Sequence, residues 1–152
     1  MSEVRRIVDQ LERAYEGEAW HGPPLKKILT GITAEQAARR VVPNAHTIWE
    51  LVLHITVWES VVRRRLAGEV VQPTPEQDWP PMPDTSEAAW ENALAELERG
   101  HRQLRQSISA LSDDRLGNIV PGKEDSVYVL LHGIVQHDLY HAGQIALLKK
   151  AL

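Results

Sequence analysis

Apolar residues recur at three- and four-residue spacing through most of this chain, the period of helices with one buried face. The first such segment runs from about Glu3 to Glu18, with Val4, Ile7, Val8, Leu11, Ala14 and Tyr15 on one stripe. Trp20-His21-Gly22-Pro23-Pro24 interrupts it, because two prolines block a continuous helix. Pro24 can open a short helix carrying Leu25, Ile28 and Leu29. Thr33 and Gln36 are spaced as a capping box for a further turn, Ala34 to Arg39. A second long helix is predicted to start near Asn44 to Thr47 and to stop at Gly68. Its Arg63-Arg64-Arg65 run falls near the carboxyl end, where cations complement the helix dipole. Residues 68–85 hold Pro73, Pro75, Pro80, Pro81 and Pro83 and read as a crossover or lid between helices. Ser86 caps a predicted third helix with Ala89, Trp90, Leu94, Leu97, Leu104 and Ile108 on its apolar side. A polar link, Ser112 to Asp125, precedes a last helix from about Ser126 to Leu152.

No run of alternating strand pattern appears. The expectation is therefore an all-α, four-helix bundle over residues 1–152 as a single domain, with short extra helical turns between helices one and two. At 152 residues a single domain has enough chain to bury a core. Hydrophobic residues are 43% and charged residues 25%, which argues against wholesale disorder. There is no cysteine, which removes disulfides, cysteine–zinc sites, iron–sulfur clusters and a cysteine nucleophile. Any thiol chemistry must bring its thiol from outside. The net charge of −4 gives no broad cationic footprint, so a nucleic-acid partner is not expected. No apolar run is long enough for a membrane span, and the charged start lacks a leader's apolar stretch, so a cytoplasmic protein is expected.

The last helix contains His137-Asp138-Leu139-Tyr140-His141. Histidines four apart lie one turn apart on one face, here the face shared or bordered by Ile134, Ile145 and Leu148. His54 sits amid apolar residues on the second long helix, on the stripe with Leu51 and Trp58. Inward imidazoles cost desolvation unless bonded or metallated. Two readings follow from spacing alone: a three-histidine metal site with an open position, or an unmetallated histidine cluster. Glu50, one turn before His54, is the candidate catalytic base. Glu59, five residues beyond His54, is less well aligned. Trp58 is placed to wall a pocket and exclude water. Gln144, three residues beyond His141, is a candidate pocket residue. Asp138 is expected to face solvent or bond His132, and His101 to be solvated or bonded. The remaining tryptophans read as packing residues.

Three stretches together — Trp20-His21-Gly22-Pro23, Leu53-His54-Ile55 and His137-Asp138-Leu139-Tyr140-His141-Ala142-Gly143-Gln144-Ile145 — resemble the DinB-like superfamily of bacterial helical proteins, including its YfiT-like metal-dependent hydrolases. The resemblance runs over essentially the whole chain. It implies that His54, His137 and His141 are ligands of a divalent metal, Zn, Ni or Fe. It also gives His21 a place at the pocket mouth. Relatives that transfer low-molecular-weight thiols to electrophiles imply such a thiol as a second cofactor, and the same open metal position would support hydrolysis of a small-molecule substrate. The other class of function is a metal-containing binding or stress-response protein without turnover. Related bundles that pair imply a homodimer.

Overall fold

The computed structural model describes residues Met1–Leu152. Its helices start where short polar side chains can hold the first free N–H groups. Ser2, Thr33, Thr47, Thr74, Ser86 and Ser126 each accept a hydrogen bond from the backbone three residues on. Each such cap contributes about 1 kcal/mol. At Thr33, Thr47 and Thr74 the bond is returned by Gln36, Glu50 and Gln77, which completes a capping box.

The elements are α1 (Glu3–Tyr15), α2 (Leu25–Leu29), α3 (Ala34–Ala38), α4 (Ile48–Leu66), α5 (Pro75–Asp78), α6 (Glu87–Ser109) and α7 (Val127–Lys149), with a 3-10 turn at Asp113–Gly117. The fold is all-α, but the expected four-helix bundle is corrected: there are seven helices. The physical reason is local. Capping boxes start α3 and α5, and α2 follows Pro24 without a side-chain cap, so three short segments close as separate helices instead of serving as plain connections. The helix α5 went unpredicted. It forms inside the proline-rich stretch because Pro75 occupies its first turn, where no N–H is needed, between Thr74 and Gln77. Helix α1 ends three residues before Glu18, where the Glu16 and Gly17 N–H groups both return to the Glu12 carbonyl.

Helix α4 packs against both α6 and α7, and α1 also packs against α6 and α7. The amino end of α1 is held from a distance: Asp113 accepts from the N–H groups of Glu3 and Val4 at 2.8 and 2.9 Å. Trp90 of α6 donates to the Ile32 carbonyl at 2.7 Å and ties the α2–α3 turn to the long helices. Gly68, at φ +95°, takes the left-handed conformation that ends α4. An isolated antiparallel bridge, Ile119 to Ser126, closes the turn before α7.

The core is in two parts. One gathers Leu25, Trp49, Ile55, Trp90, Leu97, Ala142 and Ile145. The other gathers Ile7, Leu11, Val62, Leu104, Leu131 and Ile134. Between these parts α4, α6 and α7 bury the polar residues Glu59, His101 and Asp138. No helix is long and apolar enough to cross a membrane.

Candidate metal centre

Helix α4 carries His54 on the stripe that continues through Trp58, Val62 and Arg65. Helix α7 presents His137 and His141 one turn apart. Where α4 crosses α7, one nitrogen from each of the three imidazoles lies within 4.8 Å of the others. The Nε2 atoms of His54 and His137 are 3.0 Å apart. His54 and His141 are buried, and His137 is partly open.

The outer nitrogens are held. Nδ1 of His54 is 3.0 Å from the Asp78 carbonyl and 3.0 Å from Asp78 Oδ1. Both are acceptors, so this nitrogen carries the proton and Nε2 carries the lone pair. Nδ1 of His141 is 2.6 Å from Gln144 Oε1, which assigns the same tautomer. Nδ1 of His137 lies 3.5 Å from Asp138 Oδ1, at the outer limit of a hydrogen bond. Burial pushes His137 and His141 down to about 4, and burial lowers His54 as well. The three rings are therefore neutral at neutral pH, the form in which imidazole binds a metal.

This donor set fits a divalent ion. The Nε2 lone pair of His54 faces Nε2 of His137 at 3.0 Å, a spacing that a hydrogen bond from His137 or a shared cation would each hold. Metal–nitrogen bonds of about 2.0–2.1 Å in tetrahedral geometry put ligand nitrogens roughly 3.3 Å apart, close to the observed spacing. Three protein ligands leave at least one position free.

Trp58 and α5 complete the surroundings. Trp58 Nε1 donates to Asp78 Oδ1 at 2.7 Å. Trp79, the next residue, stacks on His54 with ring centroids 3.9 Å apart and an interplanar angle of 4°. His46 also stacks on Trp79, at 3.4 Å and 4°. The proline-rich stretch thus reaches over the histidines and fixes the orientation of one of them. A cavity of about 360 Å³ opens beside His137, with Trp58, Val62 and Ile134 among its walls.

Of the residues singled out from sequence, His54, His137, His141, Trp58 and Gln144 lie together. Glu50 does not join them. Its carboxylate accepts from the Thr47 N–H at 2.7 Å and pairs with Arg40 at 2.9 Å and His46 at 3.3 Å. Partial burial alone would raise its pKa; the bonds from Thr47, Arg40 and His46 outweigh that and lower it. The cap position, three residues into α4, turns Glu50 to its own helix end. His21 is exposed and lines a separate surface depression with Asp9, Arg13, Val135 and Leu139. The turn ahead of α2 directs it away from the histidine cavity.

Asp138 is buried instead of facing solvent, and it meets two other buried polar residues, His101, which is bonded, and Glu59. One ligand-type atom from each of these three lies within 4.8 Å of the others, so this group too could hold a cation. His101 Nδ1 is 2.8 Å from Glu59 Oε1, while Glu59 Oε2 and His101 Nε2 have no partner. Burial drives His101 down to about 3 and raises both carboxyl groups well above their ordinary range. Tyr15 stacks on His101 at 4.0 Å and covers it. None of the three lines the cavity beside His137. Asp78 and Trp79 were also missed as site residues. Thr74-Pro75-Glu76-Gln77 is a readable helix start that would have placed them at the end of a helix.

The family model of the DinB superfamily matches residues 22–145, and the chain belongs to that superfamily. Searches of curated proteins and of solved structures returned no match.

Proposed function

We propose that this member of the DinB superfamily is a YfiT-like divalent-metal enzyme. In this reading His54, His137 and His141 hold the ion, and a small electrophile reacts with a low-molecular-weight thiol or with water beside it. The observation that carries the reading is the arrangement of the ring nitrogens. Two outer nitrogens are committed to Asp78 and Gln144, which leaves the Nε2 lone pairs of His54 and His141 turned inward, and Nε2 of His137 stands 3.0 Å from Nε2 of His54. A bound divalent ion would lower the pKa of a thiol or water in its open position.

The protein's own residues supply orientation and exclusion of water. Asp78 and Gln144 lock the tautomers of His54 and His141. Trp79 covers one face of His54, and Trp58 walls the cavity. In thiol transfer the S–H proton leaves to solvent and the sulfur attacks the electrophilic carbon. A C–S bond forms while the leaving group departs with its electron pair. In hydrolysis the water oxygen takes the place of the sulfur. A cavity of about 360 Å³ beside His137 favours an enzyme over a protein that only stores or senses metal, for which no substrate-sized space is needed.

The test is a two-arm rate measurement on zinc-loaded protein. One arm follows cysteine addition to 1-chloro-2,4-dinitrobenzene, the other hydrolysis of 4-nitrophenyl acetate. A rate in either arm that falls to background in His141→Ala supports an enzyme and names its class. Background rates in both arms, with zinc bound, favour the binding protein.

A further inference from the structure

The cavity beside His137 holds a cation that the proposed chemistry does not use. Arg64 on the same turn of α4 is exposed and pairs with Glu69 at 2.7 Å. Arg65 points the other way. It is 7% exposed, lines the cavity and lies 5.6 Å from the centre of the Trp58 ring. Its Nε and Nη2 both donate to one acceptor, the Val71 carbonyl, at 3.3 and 2.9 Å. A carbonyl satisfies hydrogen bonds but does not neutralise a charge. No carboxylate pairs with this guanidinium, and Nη1 has no protein acceptor. A buried arginine without a counter-ion is costly, and burial already lowers its pKa.

The surroundings of Arg65 are those of a ligand site. Val62, Val120 and Ile134 supply apolar walls. The turn before α7 brings Lys123 to the same cavity, its ammonium held by Gln72 at 2.6 Å. Asp125 stands exposed at the rim. Arg65 and Lys123 against Asp125 leave this end of the lining net positive, which favours an anionic group here. Trp58 spans the distance between the two ends: its ring is 5.9 Å from His137 on one side and 5.6 Å from Arg65 on the other.

We propose that the substrate is a small organic carboxylate whose anionic group seats on Arg65, assisted by Lys123. Its apolar body lies along Val62 and Ile134 and its reacting atom faces His137. The planar arginine fork suits a carboxylate, and the apolar walls suit a short hydrocarbon or aromatic body. This assignment rests on the metal-enzyme reading for its reacting end, but the anion seat stands on Arg65 and Lys123 without it.

The experiment is calorimetric titration with phenylacetate and its uncharged counterpart phenylacetamide, on protein as purified and again after chelation. Chelation removes any direct carboxylate–metal contact, so the acid-to-amide preference then reports Arg65 and Lys123. Phenylacetate is expected to bind about tenfold more tightly than the amide to chelated wild type. In Arg65→Met the preference should fall to about threefold, the share Lys123 supplies, and in Lys123→Met it should also fall about threefold. Equal binding in the wild type, an unchanged preference in Arg65→Met, or no phenylacetate binding at all overturns the proposal. If Arg65→Met loses its helical circular dichroism, the wild-type preference and Lys123→Met decide. Zinc content of the same preparation reports separately on the histidines. Acid preference with no divalent metal bound even after loading with Zn²⁺ or Ni²⁺ would refute the metal reading and keep the anion seat, and bound metal without acid preference would do the reverse.

Discussion

His137 and Asp138 are neighbours in the chain, yet they serve two polar clusters of opposite design. Around His137 the rings stand at the edge of a cavity, and two of the three have an outer nitrogen firmly tied to an acceptor. Around Asp138 the groups are sealed between the two halves of the core, and two polar atoms, Glu59 Oε2 and His101 Nε2, go unpartnered. The first cluster has spare lone pairs pointed at one spot and a route to it. The second has buried acids whose pKa values are raised by desolvation, and none of its three residues lines the cavity beside His137. Burial of titratable groups is therefore common to both. Tied tautomers and access mark the one suited to chemistry, and the other reads as the polar layer that sets how α4, α6 and α7 meet.

Removing members of each cluster should separate these roles. The largest expected stability effect is in the sealed cluster. His101→Ala leaves Glu59 buried without its partner and opens a cavity, at a cost of about 3 kcal/mol in denaturant unfolding, with zinc stoichiometry unchanged. Loss of zinc in that variant would show that the two clusters act as one. Next come the residues that orient the histidines. Gln144→Ala and Asp78→Ala should each weaken zinc binding about tenfold in a competition titration, while the fold remains intact. Wild-type affinity in both would mean that the ring orientations are set elsewhere.

The pH dependence of the sealed cluster has a defined sign. His101 titrates near 6.5 when unfolded and at about 3 when folded, because burial disfavours its charged form. The unfolded chain takes up this proton first. The stability contributed by neutral His101 is complete above pH 6.5 and declines as pH falls toward 3. Unfolding of His101→Leu should therefore show a shallower loss of stability over that window than the wild type. A slope identical to the wild type would remove His101 from the acid response. The smallest effect is expected at Glu50. Glu50→Ala should cost about 1 kcal/mol through the lost capping box and leave zinc binding unchanged.

The contrast also shows what a sequence discloses. The long helices were legible because their apolar stripes repeat over many turns, and His54, His137 and His141 stood out as polar residues on those stripes. Helix α5 was hidden by its prolines, although Thr74 and Gln77 mark its start. Trp79 and Asp78 could not be assigned to His54, because only the path of the chain after α4 brings them there. Glu50 looked well aligned with His54, but the same residue is the third position of a capping box, and the local bond won. Asp138 was placed toward solvent because it lies about 100° around α7 from His137. That direction is occupied by α4 and α6, whose Glu59 and His101 meet it there.

The most direct measurement is elemental analysis of untagged protein, wild type against the variant with His54, His137 and His141 all replaced by alanine. About one divalent ion per chain in the wild type and none in the variant, with both folded by circular dichroism, is the expected result. An equal metal content in the two proteins, or none in the wild type even after loading with Zn²⁺ or Ni²⁺, would contradict a metal centre at these histidines.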